Sequence, residues 1–182
     1  VRSGQEFSSQ LIKQFNRRDQ TYSHSGLVFL DKGIPVVYHI LPHEESGDDS
    51  MKKDSLEKFC NPRKNAGYAI YRYDLSDTER KLLKSYVLNL YQQKISFDSA
   101  FDYQTDQKMY CSEMIRKGLD KATHGRILLD VTRPSPEEAA FFSPHLKIPA
   151  TVLSKQNIIA IDNLYINQHC QLVRKIEFNN RP

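Results

Sequence analysis

Two strand-like runs, Gly26-Leu27-Val28-Phe29-Leu30 and Ile34-Pro35-Val36-Val37-Tyr38-His39-Ile40, are separated only by Asp31-Lys32-Gly33. β-Branched and aromatic residues favour extended backbone, and a connection this short with a permissive glycine turns the chain back on itself. The segment is predicted as an antiparallel hairpin, with Pro35, which has no N–H to give, at the start of the second strand or at an edge. If Lys32 and Gly33 form the loop, Asp31 faces Ile34 and His39 faces Gly26. His24 lies two residues before Gly26 on the same sheet face, so this register predicts diagonally adjacent imidazoles. A one-residue slip would put them on opposite faces.

Helices flank the hairpin. Phe7, Leu11 and Phe15 recur every four positions, the stripe of a short amphipathic helix into which Gly4-Gln5 leads directly. Ser76-Asp77-Thr78-Glu79 has capping-box spacing, and Leu82, Leu83, Tyr86, Val87, Leu90 and Tyr91 continue a helical stripe expected in the core. Ser135-Pro136-Glu137-Glu138 starts another helix by the same capping logic, and a short helical piece is expected around Ser55 to Phe59. Residues 67–73 alternate with aromatic enrichment and read as a strand. Ile158 to Ile161 and Leu164 to Ile166 read as late strands, and 41–65 as a polar surface excursion. Separate helices and hairpin strands without regular βαβ alternation predict an α+β fold, and 182 residues fit one domain, 1–182.

Charge narrows the function classes. The net charge of +4 comes from 26 basic and 22 acidic side chains that are scattered rather than striped, so no nucleic-acid partner is expected. No segment approaches the run of about 20 apolar residues that a membrane span requires. A start at Val1 rather than methionine is what removal of an initiator or a signal peptide leaves. Cys60, Cys111 and Cys170 are an odd set, so at least one thiol has no intrachain disulfide partner.

Cys111 is the thiol with chemical context. From Tyr110 the run Cys111-Ser112-Glu113-Met114-Ile115-Arg116-Lys117-Gly118-Leu119 has helical character, which puts Cys111 in the first turn of a helix. There the helix dipole, together with a nearby imidazolium, is expected to lower a thiol pKa, and free backbone N–H groups supply one oxyanion donor. His24 would be the general base and His39 its orienter, completing a nucleophile, base and orienter set. Cys111 read alone is a small buried hydrophobe, and His39 read alone a hydrogen-bonded core residue at a strand end. Cys60 and Cys170 are read as structural, Asp98 as a cap for the loop before the cysteine, Tyr110 and Tyr22 as candidates to line a cleft, and His43, His124 and His145 as surface residues. No Cys-x-x-Cys or similarly paired metal ligands occur, so neither metal nor cofactor is expected.

Tyr22-Ser23-His24-Ser25-Gly26, a polar residue ending the next strand, Phe97-Asp98-x-x-Phe101 and Tyr110-Cys111-Ser112-Glu113 together resemble the circularly permuted papain-like hydrolases. That group includes YiiX-like hydrolases, NlpC-type cell-wall peptidases and lecithin retinol acyltransferases. The resemblance spans about 4–119, and histidine precedes cysteine in this chain as in that group. It implies a small antiparallel sheet packed on helices, with Cys111 as nucleophile, His24 as base and then acid, and His39 as polar orienter. It also implies a bacterial-type cysteine peptidase or amidase acting on a peptide or other amide bond, with a periplasmic or secreted setting favoured over the cytoplasm. Lipid acyl transfer or thioester hydrolysis on the same fold is the alternative, and a non-catalytic binding module is the reading from another class. The stretches 42–65 and 122–143 carry no readable substrate code.

Overall fold

The computed structural model describes residues 1–42 and 48–178; His43 lies outside the described residues. In chain order the elements are β1 (Arg2–Gly4), α1 (Phe7–Lys13), β2 (Leu27–Asp31), β3 (Ile34–His39), β4 (Lys52–Ser55), α2 (Leu56–Phe59), β5 (Asn65–Tyr73), α3 (Asp77–Gln92), β6 (Ser96–Phe97), β7 (Lys108–Met109), α4 (Cys111–Thr123), α5 (Pro136–Leu146), α6 (Ala150–Leu153), a 3-10 turn (Ile161–Leu164) and β8 (Cys170–Glu177). Two antiparallel three-stranded sheets, β1-β5-β8 and β2-β3-β4, stand beside the helices, with a two-stranded parallel pair, β6-β7. The fold is mixed α+β, and no described helix is long and apolar enough to cross a membrane.

The hairpin has the predicted register: Asp31 pairs with Ile34 and Leu27 with Tyr38. Lys32 and Gly33 both take positive φ (51° and 84°), the backbone a two-residue turn needs to match strand twist. Helices α3 and α5 begin at complete capping boxes, Ser76 with Glu79 and Ser135 with Glu138. Leu83, Val87 and Leu90 of α3 are buried in the core cluster that also holds Met114, Ile115 and Leu119 of α4. Leu82 and Tyr91 are exposed, so the α3 stripe is narrower than predicted. Likewise α1 stops at Lys13 and buries Leu11, while Phe7 is 72% exposed and Phe15 packs on Phe142 from beyond the helix end.

Gly4-Gln5 leads into α1 as expected, with Glu6 at the N-cap, and Arg2–Gly4 adds a strand before it by pairing with β5 as β1. Two expectations are overturned. Strand β4, inside the stretch read as a surface excursion, pairs with β3. The late strands at Ile158–Ile161 and Leu164–Ile166 are instead a single bridge from Ile158 to Thr132 followed by the 3-10 turn. Side chains satisfy this backbone in place of a neighbouring strand: Ile159 N–H donates to the Tyr110 hydroxyl, Ile159 C=O accepts from Ser112, and Ile161 N–H donates to Asn16. The strand that closes the first sheet is β8, paired along β5 through a bulge at Ile70/Tyr71.

Candidate active site

Cys111 is the first residue of α4, a 13-residue helix whose opening turn holds Glu113, with the Glu113 carboxylate accepting from Tyr110 N–H at 3.2 Å. Asp98 supports the approach to this helix as expected, accepting from Ala100 N–H at 2.9 Å and Asp102 N–H at 2.6 Å. His24 reaches the site from the other side. Its backbone pairs with Arg2, with Arg2 N–H donating to His24 C=O at 2.9 Å. Both Cys111 and His24 are buried and line one cleft of about 350 Å³. The cleft walls are largely apolar, with Leu11, Phe15, Ile40, Phe97, Phe101 and Ile159 among them. Tyr110 and His145 also line it, whereas Tyr22 packs edge-on against Tyr165 instead.

The two imidazoles meet as the register requires. His24 Nε2 lies 3.1 Å from His39 Nδ1, and the rings cross at 73°. Gly26 makes this approach possible: a Cβ there would stand 2.6 Å from Val37 Cγ1 and 3.1 Å from His39 Cβ. The glycine of the Ser-His-x-Gly pattern is therefore a clearance for the hairpin partner that carries His39. His39 continues outward, its Nε2 3.1 Å from Asp54 Oδ2, and Lys58 donates to the other carboxylate oxygen at 2.7 Å. Phe59 packs against both rings, with centroids 5.5 Å from His24 and 5.1 Å from His39. Asp54 was not picked out from the sequence. Its signal was present only as an acidic residue in Lys52-Lys53-Asp54-Ser55, and no local pattern pairs that run with β3.

The thiol environment differs from the sequence expectation. Cys111 and His24 share the cleft without a hydrogen bond between them; the neighbours of the sulfur are Ser25, the residue after His24, and Ser112. Burial raises the Cys111 pKa above its ordinary value, opposed by the hydroxyl and backbone N–H groups of Ser25 and Ser112. The Ser25 hydroxyl is fully buried and makes no hydrogen bond of regular geometry. Burial first, and then the positive charge of Arg2, hold His24 well below the usual histidine pKa. Both shifts run the same way, desolvation favouring the neutral thiol and the neutral imidazole against the helix dipole.

His39 is also pushed down by burial, with Asp54 opposing the shift. A histidine whose folded pKa is depressed lets the unfolded chain take up its proton first, so stability present above about pH 6.5 is lost as pH falls below it. Urea midpoints are expected to drop between about pH 7 and pH 5, and His24→Gln and His39→Gln should each flatten the decline. A wild-type midpoint that stays level over that interval contradicts the burial of neutral rings. Asp54, held down to about 2 mainly by its hydrogen bond to His39, contributes in a separate, more acidic window below its ordinary value of 3.8.

The remaining cysteines are free thiols, Cys60 buried and Cys170 half-buried, with burial raising both to about 11. Neither lines the cleft with Cys111.

No protein-family model and no curated protein matches the chain. Among solved structures, the metalloprotein YiiX from Escherichia coli O157:H7 aligns with a TM-score of 0.75 over 97% of this chain and 94% of its own. The two share a fold. At 16% identity the likeness to YiiX is one of architecture.

Proposed function

We propose that the chain is a cysteine hydrolase of the permuted papain-like type, with Cys111 as nucleophile, His24 as general base and His39 as its orienter. The observation that carries this reading is the meeting, in one cleft, of a cysteine opening a 13-residue helix and a buried imidazole hydrogen-bonded to a second imidazole. A packing role for two hydrogen-bonded buried histidines beside a cysteine is a poor alternative, since each buried ring costs desolvation that an apolar residue would avoid.

Because burial favours the neutral thiol and the neutral imidazole, proton transfer accompanies attack. His24 takes the Cys111 proton as the sulfur bonds to the substrate carbonyl carbon, and the carbonyl oxygen becomes an oxyanion near the free N–H groups of the first turn of α4. Collapse breaks the bond to the leaving group, which takes the proton from His24. Water then attacks the thioester, giving its proton to His24, and departure of the Cys111 sulfur with that proton restores the start. Catalytic hydrogen bonds are often long in the free enzyme and tighten with substrate, so the present separation of thiol and ring does not oppose this sequence.

The leading substrate class is an amide, including peptide bonds. The apolar lining of the cleft favours a second reading on the same chemistry, an acyl ester or thioester whose chain would lie against Leu11, Phe15 and Phe101. YiiX is named a metalloprotein, and the chemistry proposed here requires no metal. Among the described residues no three His, Cys, Asp or Glu converge to hold an ion, and His39 uses both ring nitrogens within the protein.

The test is the covalent intermediate. Incubation with a peptide amide and with a medium-chain acyl thioester, followed by acid quench and peptide mapping, should place an acyl group on Cys111 and none on a Cys111→Ser variant. A peptidyl adduct supports the amidase and a fatty acyl adduct the second reading. An unmodified Cys111 in both incubations removes the hydrolase reading and leaves a binding module.

A further inference from the structure

We propose that Asp54 is a positioning residue that sets the tautomer of both imidazoles, holding His24 with its proton on Nε2 and its lone pair on Nδ1. Asp54 sits on β4 opposite Val37, while Lys52 sits opposite His39, so the carboxylate is one diagonal step from His39. His24 stands in the same relation on the other side of β3, two residues before the glycine that continues the β2 register opposite His39. Three side chains from three adjacent chain segments therefore line up on one face, and their atoms are 3.1 Å apart at each junction.

Hydrogen-bond chemistry then fixes the protons. An ionised carboxylate only accepts, so His39 Nε2 must carry the hydrogen. A neutral imidazole has one N–H, which leaves His39 Nδ1 as an acceptor. Only His24 Nε2–H can donate to it, and His24 Nδ1, which makes no hydrogen bond among the described residues, is left with the free lone pair. The opposite arrangement would put a hydrogen on Nδ1, the only nitrogen of His24 still available to receive a proton. The carboxylate stays ionised throughout because His39 and Lys58 both bind it. The other charged side chains around the pair are Arg2 at His24, and Arg2 and Lys58 at His39. None is an acceptor that could reverse the chain of donors.

The catalytic meaning of this assignment rests on the hydrolase reading, but the assignment itself does not. Long-range proton–nitrogen NMR spectra of the wild-type protein at neutral pH should show His24 and His39 both protonated on Nε2. In Asp54→Asn the side-chain amide can donate to His39 Nε2, so the chain is expected to reverse and both rings to carry hydrogen on Nδ1. Cys111 acylation in that variant should fall at least ~10-fold, as when a base is held in the wrong tautomer. Wild-type rings protonated on Nδ1, or an Asp54→Asn protein with unchanged tautomers, overturn the proposal; a role confined to stability would lower the urea midpoint without moving the tautomer. If Asp54→Asn fails to fold, the wild-type spectrum alone decides. The predicted tautomers in a protein that never acylates Cys111 would uphold Asp54 while removing the hydrolase reading.

Discussion

Replacing His24 with alanine is expected to slow acylation of Cys111 at neutral pH by at least ~100-fold, the lower end of what a positioned general base contributes. The size follows from the resting state. Burial raises the Cys111 pKa, so little thiolate exists before substrate arrives and the base has to remove the proton during attack. A pre-formed thiolate would need no such help and would lose far less. The same reasoning fixes a pH dependence: the gap between wild type and His24→Ala should narrow as pH approaches the raised thiol pKa, where solvent supplies the thiolate. Acylation rates measured across neutral to alkaline pH check both points. A loss of less than ~3-fold near neutrality, well short of the general-base range, removes His24 from the role of base. The variant also leaves His39 Nδ1 without its partner, so its urea midpoint has to be compared alongside; His24→Asn, which retains a polar side chain, separates a folding defect from a lost base.

Asp162→Ala is expected to lose ~2–4 kcal/mol of stability, because at least two backbone N–H groups lose their acceptor at about 1–3 kcal/mol each. Asp162 is fully buried, and one carboxylate oxygen accepts from the backbone N–H groups of Arg17 and Arg18 at 2.8 and 2.7 Å, with Asp19 N–H at 3.4 Å. Asn16 closes the reciprocal half. Its side-chain oxygen accepts from Ile161 N–H and Asp162 N–H, and its amide donates to Tyr22 C=O. Arg17 pairs with Glu138 through both guanidinium arms, tying the same turn to α5. This clasp joins the chain leaving α1, which runs on to His24, to the segment that forms the cleft wall at Ile159 to Ile161. Loss of it should therefore slow Cys111 acylation as well as lower the urea midpoint. A midpoint shift worth less than ~1 kcal/mol, the net value of one ordinary hydrogen bond, would show that the turn holds without the carboxylate.

Of these two features, the sequence carried one and not the other. The His24–His39 contact was legible because turn chemistry at Lys32-Gly33 fixes a hairpin register within a few residues, and a register fixes every facing pair beyond it. Nothing local announced the Asn16–Asp162 clasp, whose partners lie 146 positions apart. Asp54 failed to stand out for a related reason: its partner strand is reached only across the long connection between β3 and β4, so its alignment with His39 is a product of sheet assembly. Strand β8 was invisible because most of its residues are exposed on both faces, which erases the alternation that marks a half-buried strand, and its pairing with β5 alone defines it.

The sequence by itself determined the local elements: the hairpin and its register, the capped starts of α3 and α5, and a cysteine in the first turn of α4. These depend on interactions within one turn of helix or one tight loop, which neighbouring residues specify completely. Tertiary structure alone decided which groups surround Cys111, which carboxylate ends the histidine chain, and that burial pushes the thiol pKa up and the imidazole pKa down. Desolvation is the physical reason, because the cost of a charge depends on everything packed around it, and that packing exists only once distant segments have met.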